Sequence, residues 1–550
     1  MNKINTDHVV IKGEAAARMI KNLARMHDRY YLPGVAGTAE AENIGWPGDW
    51  EGRTVLALTL LGRTLKIEPA YLDEIVQWIL DHMNAEGYRG ELLDLSAINE
   101  QQLSGHGWLL RGLIEYYQWK KNDHIKQAIT VIIEKLFLPL KGKFIFYPRK
   151  HEQRVYEGEA AGELAGITVS GWQISSDTGC AFISLDGLTQ AYQLLRLPQL
   201  GELIEEMVKV FAEIDFAGIT MQTHATLTAT RGIMRMYSLT GDENYLALSK
   251  RIYDLYKIEG MTENYANYNW FSRPSWTEPC GIIDSFMVAF YLWEETGEAA
   301  YLEDAHHIWF NGILRGQRPN GGFGCDHCVE DGFVEVYKSF YEAYWCCSMR
   351  GGEGTSSIAG FSMYGEADQL TIPFYCNGVF TPEWIPGLVL REHTQYPLEG
   401  NICFEVGEGD GRCITLKLYL PLWAENAKVL INGAETEFVV EKGFAIFQVS
   451  LKAGTVIVLN FDIPLFMAPT IGNQHKDRGL LTLRHGALVL GTLSETYKGS
   501  LELSDFTYKG NGTYFCGEAE FAPLCSAYLL DEGKLKANRY RILFHADGLK

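Results

Sequence analysis

Three observations predict a multidomain α+β protein, an (α/α)6 barrel followed by antiparallel β-sandwich domains. At 550 residues the chain exceeds what one compact core usually holds. Helical periodicity runs through roughly the first 370 residues. From about Leu370 it gives way to alternating apolar and polar runs rich in β-formers.

Amphipathic patterns fall near 14–28, 54–64, 70–84, 103–119, 124–136, 183–196, 202–213, 224–239, 243–257, 282–296 and 299–314. Short polar turns join several of them. Ser238-Leu239-Thr240-Gly241-Asp242-Glu243 and Glu295-Thr296-Gly297-Glu298-Ala299 each end one helix at a glycine and open the next with an acid. Paired helices can stack as a solenoid or close as a toroid. The pairs lack a fixed solenoid period, and the longer connections hold aromatics, histidines and acids, as loops lining a central pocket would. The toroid is the better fit.

Strands are expected at Ile402–Val406, Cys413–Leu420 and Phe444–Val449, separated by turn residues such as Asn432-Gly433 and Ala453-Gly454. A second β-rich stretch starts near Arg478. The expected division is a barrel over 1–370, a β-sandwich domain over 371–470 and a second β-rich module over 471–550, either separate or packed on the barrel.

A net charge of −21 argues against a nucleic-acid partner and an anionic membrane surface. Met1–His8 has no apolar signal core, and no run is long enough to span a bilayer. Eleven irregularly spaced cysteines then point to the reducing cytoplasm. A homo-oligomer is compatible with this composition.

The chemistry concentrates in cysteines. Glu278-Pro279-Cys280 and the adjacent pair Cys346-Cys347 supply one carboxylate and three thiols, the number and type that close a tetrahedral zinc site. On extended backbone Glu278 and Cys280 would point to one side and bite a single ion. Cys346 and Cys347 need a turn or a helix start instead, and Gly351 and Gly352 suit an irregular backbone there. Cys325-Asp326-His327-Cys328 offers a rival half-site, so an all-thiolate structural site of Cys325, Cys328, Cys346 and Cys347 stands beside the first set. Spacing alone does not choose between them.

With these residues in view, the chain resembles glycoside hydrolase family 127, the β-L-arabinofuranosidase family. Ser104-Gly105-His106 looks like the family's Ala-Gly-His segment, and Thr223-His224-Ala225 like its Gly-His-Ala segment. Leu418–Ala424 with Val429–Gly433 resembles its middle sandwich, and His485–Gly491 the opening strand of its last module. The resemblance implies a catalytic barrel domain with Zn2+ on Glu278, Cys280, Cys346 and Cys347, and Cys346 as nucleophile. It implies a general acid/base at Glu263, one residue closer to Glu278 than the family spacing. A further family glutamate falls on His306. A family histidine has no counterpart around Ser176-Asp177-Thr178-Gly179.

The implied reaction is retaining hydrolysis of a short glycoside or small oligosaccharide, a β-L-arabinofuranoside first among them. His106, His224, His306, Trp270 and Asp49 are the expected substrate contacts. The histidines and Asp49 have plainer alternatives: a capping or packing histidine, and, for Asp49, a salt bridge to Arg53. The competing functions are another sugar-active toroid, such as an unsaturated uronyl hydrolase or epimerase, and a non-catalytic carbohydrate-binding protein with structural zinc.

Overall fold

A computed structural model describes residues 2–545 apart from 36–44, 155–163, 330–331, 476–477, 494–500, 527–529, 532–533 and 536–538. Twelve of the described helices have nine residues or more. They are α1 (Gly13–Arg25), α2 (Asp49–Leu65), α3 (Leu72–Asp81), α4 (Glu100–Lys120), α5 (Asp123–Ile132) and α6 (Ser184–Leu195). The rest are α7 (Pro198–Ala212), α8 (Thr223–Thr240), α9 (Glu243–Glu259), α10 (Pro279–Thr296), α11 (Ala299–His307) and α12 (Cys347–Phe361).

The even-numbered helices form the inner ring. Each packs on the next, and α12 returns to α2, closing the circle. The helices α3, α5, α7, α9 and α11 lie outside the inner helix that precedes them, and α1 covers α12 and α2. This is the (α/α)6 barrel. Burial follows position: α4 is buried continuously from Glu100 to Ile114, whereas α1 buries only Met19, Asn22 and Leu23.

The hairpin turns form as the sequence pattern requires. Gly241 and Gly297 close α8 and α10 in the left-handed conformation, at φ 70° and 67°. The side chain of Asp242 then caps α9 by accepting the Asn244 amide. Inner helices approach closely where glycines face one another. A Cβ on Gly187 would lie 2.4 Å from the Gly107 carbonyl oxygen. Gly187→Ala should therefore cost about 1–3 kcal/mol through overpacking, read as a lower denaturation midpoint.

Two sheets make the sandwich. One runs Asn2–Lys3, Tyr364–Glu366, Gln369–Ile372, Asp410–Tyr419, Phe444–Lys452 and Val439–Glu441. The other runs Ala434–Thr436, Glu425–Ile431, Val456–Asp462, Asn401–Glu408, Val389–Thr394, Gly378–Phe380 and Val9–Ile11. Pairing is antiparallel except between Gln369–Ile372 and Asp410–Tyr419. The N-terminal segment thus belongs to the sandwich sheets, although it precedes the barrel in the chain.

A third sheet orders Leu465–Pro469, Leu480–His485, Leu488–Gly491, Ala519–Pro523, Thr513–Cys516 and Phe506–Gly510. It is fastened to the barrel. Asn311 donates to the Ala487 carbonyl and accepts the Val489 amide. Strand Arg539–Arg541 adds to the barrel hairpin Asp326–Val329 and Phe333–Val336. That hairpin in turn grips Thr277 through Asp326, fixing the residue just before Glu278.

Candidate metal centre and active site

The site forms where inner helices begin. Glu278 is the N-cap of α10, with extended backbone (φ −128°, ψ 109°), and Pro279 occupies the first turn. Cys346 precedes α12 at φ −145°, ψ −77°, and Cys347 is that helix's first residue. The expected helix start at the cysteine pair is therefore present. Cys280, however, lies on a helical turn rather than on extended chain. Gly351 and Gly352 are helical too. A Cβ on Gly351 would meet the Phe323 ring at 2.1 Å, so the glycine serves packing rather than irregularity.

Oxygen of Glu278 and the sulfurs of Cys280, Cys346 and Cys347 all lie within 4.8 Å of one another. Cys280 Sγ is 3.2 Å from Cys346 Sγ and 3.7 Å from Cys347 Sγ, and Cys346 Sγ is 3.9 Å from Glu278 Oε1. Zinc at about 2.3 Å from each sulfur would place tetrahedral thiolates roughly 3.8 Å apart. The donor set fits that ion in type and spacing. Among the described residues, Cys325 and Cys328 do not join a four-ligand group. Cys325 is a buried thiol that bears on Cys347, and Cys328 lies on the adjoining hairpin.

Electrostatics give the same picture. Burial and then the nearby Cys346 push the Glu278 carboxyl well above its ordinary range. Burial likewise raises the thiols of Cys280 and Cys347. Cys346 alone is held well below a normal thiol. Hydrogen bonds from Cys280 and Cys347 do most of this against the cost of burial, and the Arg53 guanidinium assists. The N-termini of α10 and α12 add their positive dipole ends to the same point.

The surrounding shell comes from other inner helices. Arg53 of α2 donates to Cys280 Sγ at 3.5 Å. Gln222, the N-cap of α8, points its amide at Glu278 Oε2, 3.4 Å away. His224 Nδ1 donates to Asp284 at 2.8 Å. Asp284 can only accept there, because Arg350 and Arg231 hold it ionised despite its burial. His224 Nε2 is consequently a bare acceptor, and burial keeps the ring neutral. Asp177, in the turn before α6, is raised to about 7 by burial and then by Cys346. Around the cysteine cluster, the buried acceptor atoms without a hydrogen-bond partner among the described residues include Asp177 Oδ1, Gln222 Oε1 and His224 Nε2.

The other expected contacts divide. His106 accepts the Arg89 amide at Nε2 and donates to the Gln102 carbonyl at Nδ1. His306 bonds the Pro373 carbonyl and the Tyr396 hydroxyl, among Phe374 and Tyr419 at the sandwich junction. Both rings spend both nitrogens inside the fold, so neither has one left for a sugar hydroxyl. Asp49 gives both carboxylate oxygens to Arg53, at 2.7 and 3.0 Å. Trp270 is buried against Trp276 beneath the Arg273 guanidinium, and its backbone bridges to Gln222. Glu263 is buried and accepts the Ile471 amide of the C-terminal module at 2.8 Å. Burial lifts its carboxyl to about 7, against the pull of that bond and of Arg484. Sequence reasoning assigned no role to Asp177, Gln222 or Asp284. A glutamine directly before Thr223-His224 was the one local hint.

Known proteins resemble this chain in sequence and fold. The model described as "Beta-L-arabinofuranosidase, GH127 catalytic domain" matches residues 255–360, and "Beta-L-arabinofuranosidase, GH127 middle domain" matches 371–463. No curated protein matches significantly. The solved structure of a GH127 β-arabinofuranosidase aligns at TM-score 0.69 and 13% identity, covering 99% of this chain and 98% of its own. A GH127 β-L-arabinofuranosidase from Geobacillus stearothermophilus T6 aligns at 0.67 and 12%, covering 98% and 100%. The first matched segment spans all four converging ligands, and the second covers most of the sandwich. Over these two segments the chain resembles glycoside hydrolase family 127, and over nearly its whole length it shares the fold of the solved GH127 structures.

Proposed function

We propose that this protein is a zinc-dependent retaining glycoside hydrolase whose nucleophile is the thiolate of Cys346. The observation that carries the reading is the convergence of Glu278, Cys280, Cys346 and Cys347 within 4.8 Å at two helix starts, with only Cys346 depressed in pKa. These four residues would hold Zn2+, which when bound keeps the nucleophilic thiol ionised at neutral pH. Cys346 Sγ forms a bond to the anomeric carbon as the glycosidic C–O bond breaks. A buried carboxyl gives its proton to the departing oxygen, then takes one from the water that displaces sulfur. Two inversions leave the configuration retained.

Glu263 is the proposed carboxyl, since a value of about 7 suits both proton transfers near neutrality. Asp177 is the second candidate, because its carboxyl also stands near 7 and it is the one coupled to Cys346. The sign is fixed: kcat/KM requires the protonated acid, so it falls as pH rises through about 7. Glu263→Gln should lower kcat/KM and remove that alkaline limb. Persistence of the limb in Glu263→Gln and its loss in Asp177→Asn would move the role to Asp177.

The three unpartnered acceptors support a neutral, hydroxyl-rich glycosyl group, whose O–H groups donate. A uronate carboxylate would bring acceptors to acceptors. A β-L-arabinofuranoside is the first substrate to test, as a short glycoside in a reducing cytoplasm where closely spaced thiols stay reduced. Release of L-arabinose from an activated β-L-arabinofuranoside, abolished by zinc chelation and restored by zinc, would support the reading. Turnover indifferent to chelation would overturn it.

Among the described residues no helix is long and apolar enough to cross a membrane.

A further inference from the structure

Arg53 and Asp49 are buried together, 4% and 2% exposed, at the start of α2. A buried pair of this kind is commonly only a fold element. Here the geometry is more specific. Arg53 Nε and Nη2 grip the two Asp49 oxygens in a bidentate fork, at 2.7 and 3.0 Å. Its guanidinium carbon lies 4.3 Å from the centre of the Trp108 ring. With two edges fixed, Nη1 is left facing Cys280 Sγ at 3.5 Å. The neighbouring guanidinium of Arg350 is engaged by Asp284 and Glu353. Among the described residues, Arg53 is the cation that hydrogen-bonds a sulfur of the cluster.

Three thiolates and a carboxylate around a dication leave an anionic centre buried in a low-dielectric barrel. Such a centre needs a donor of positive charge at sulfur, held so that it cannot swing away. We infer that Arg53 is the positioning residue of the metal centre, its N–H set on the Cys280 thiolate by the Asp49 fork and the Trp108 ring. Asp49 accordingly orients Arg53 rather than binding a sugar. The inference rests on the zinc reading given above. Lysine cannot replace the fork, because an ammonium cannot span both Asp49 oxygens and still reach Cys280 in fixed geometry.

The test is zinc affinity of the full chain, measured by competition with a chromophoric chelator, with circular dichroism of each metal-free protein as the folding control. Arg53→Lys should bind Zn2+ about 10- to 100-fold more weakly than wild type, the usual effect of losing a partner behind a metal ligand. Asp49→Asn should show a smaller loss in the same direction. The double variant Asp49→Leu/Arg53→Met leaves no unpaired buried charge and should lose as much as Arg53→Lys or more. Wild-type affinity in Arg53→Lys or in the folded double variant would overturn the inference. So would unfolding of all three metal-free variants beside a folded metal-free wild type, since the pair would then serve the fold. A wild type that binds no zinc would sink the metal reading itself, an outcome distinct from these.

Discussion

Cys346→Ser is expected to lose turnover by at least about 1000-fold, the scale seen when a covalent nucleophile is removed, and, as one of the four cluster residues is lost, to hold zinc more weakly. The serine hydroxyl is smaller than the thiol and fits the same space at the start of α12. It will not ionise at neutral pH as the depressed thiol does. Affinity for a neutral sugar should change far less than kcat, because the acceptors at Asp177, Gln222 and His224 are untouched. Measuring both constants separates the two effects. A variant that lost binding and kept its residual rate per bound substrate would point to a structural thiol instead.

Cys280→Ala should act through the metal and so cost more than activity. Cys280 sits between the other two thiols, at 3.2 and 3.7 Å, and faces Arg53. A full zinc–thiolate site is typically worth about 10–16 kcal/mol, so losing one ligand removes several. Each tenfold loss of affinity lowers zinc-linked stability by about 1.4 kcal/mol at fixed free zinc. Zinc content should fall sharply, the melting temperature with it, and turnover with both. Elemental analysis and a thermal melt with and without chelator check this. In wild type the chelator should lower the melting temperature, and in Cys280→Ala it should change little.

Much of the Glu278–cysteine cluster was legible in the sequence because its four residues come in two local pairs. Glu278 with Cys280 and Cys346 with Cys347 each lie within one turn of a helix start, so short-range spacing brings them together. The helix that carries the second pair was not legible. Cys347–Phe361 holds four glycines and three serines, reads as loop on propensity, and is helical because nearly every residue is buried against α1, α2 and α10. The surrounding shell was hidden for another reason. Arg53, Asp177, Gln222 and Asp284 come from separate inner-ring segments, and only ring closure gathers them.

The three histidines show what sequence cannot sort. His106 lies inside α4, His224 in the first turn of α8 and His306 in the last turn of α11, and all three are buried. What separates them is whether the fold consumes the second ring nitrogen. It does for His106 and His306, through Arg89 and Gln102 in one case and Pro373 and Tyr396 in the other. It leaves His224 Nε2 open. The strands Asn2–Lys3 and Val9–Ile11 were missed because they are short and pair with Tyr364–Glu366 and Gly378–Phe380, at the far side of the barrel in sequence.

The proposed attack of the Cys346 thiolate on the sugar leaves a glycosyl thioether that can be trapped. The most direct measurement is intact-protein mass spectrometry after incubation with an activated β-L-arabinofuranosyl reagent that traps the covalent intermediate, followed by peptide mapping and a zinc assay on the same sample. A single glycosyl adduct on the peptide containing Cys346, in zinc-loaded protein, is the predicted result. An adduct on a carboxylate such as Glu263 or Asp177, with Cys346 unmodified, would contradict it.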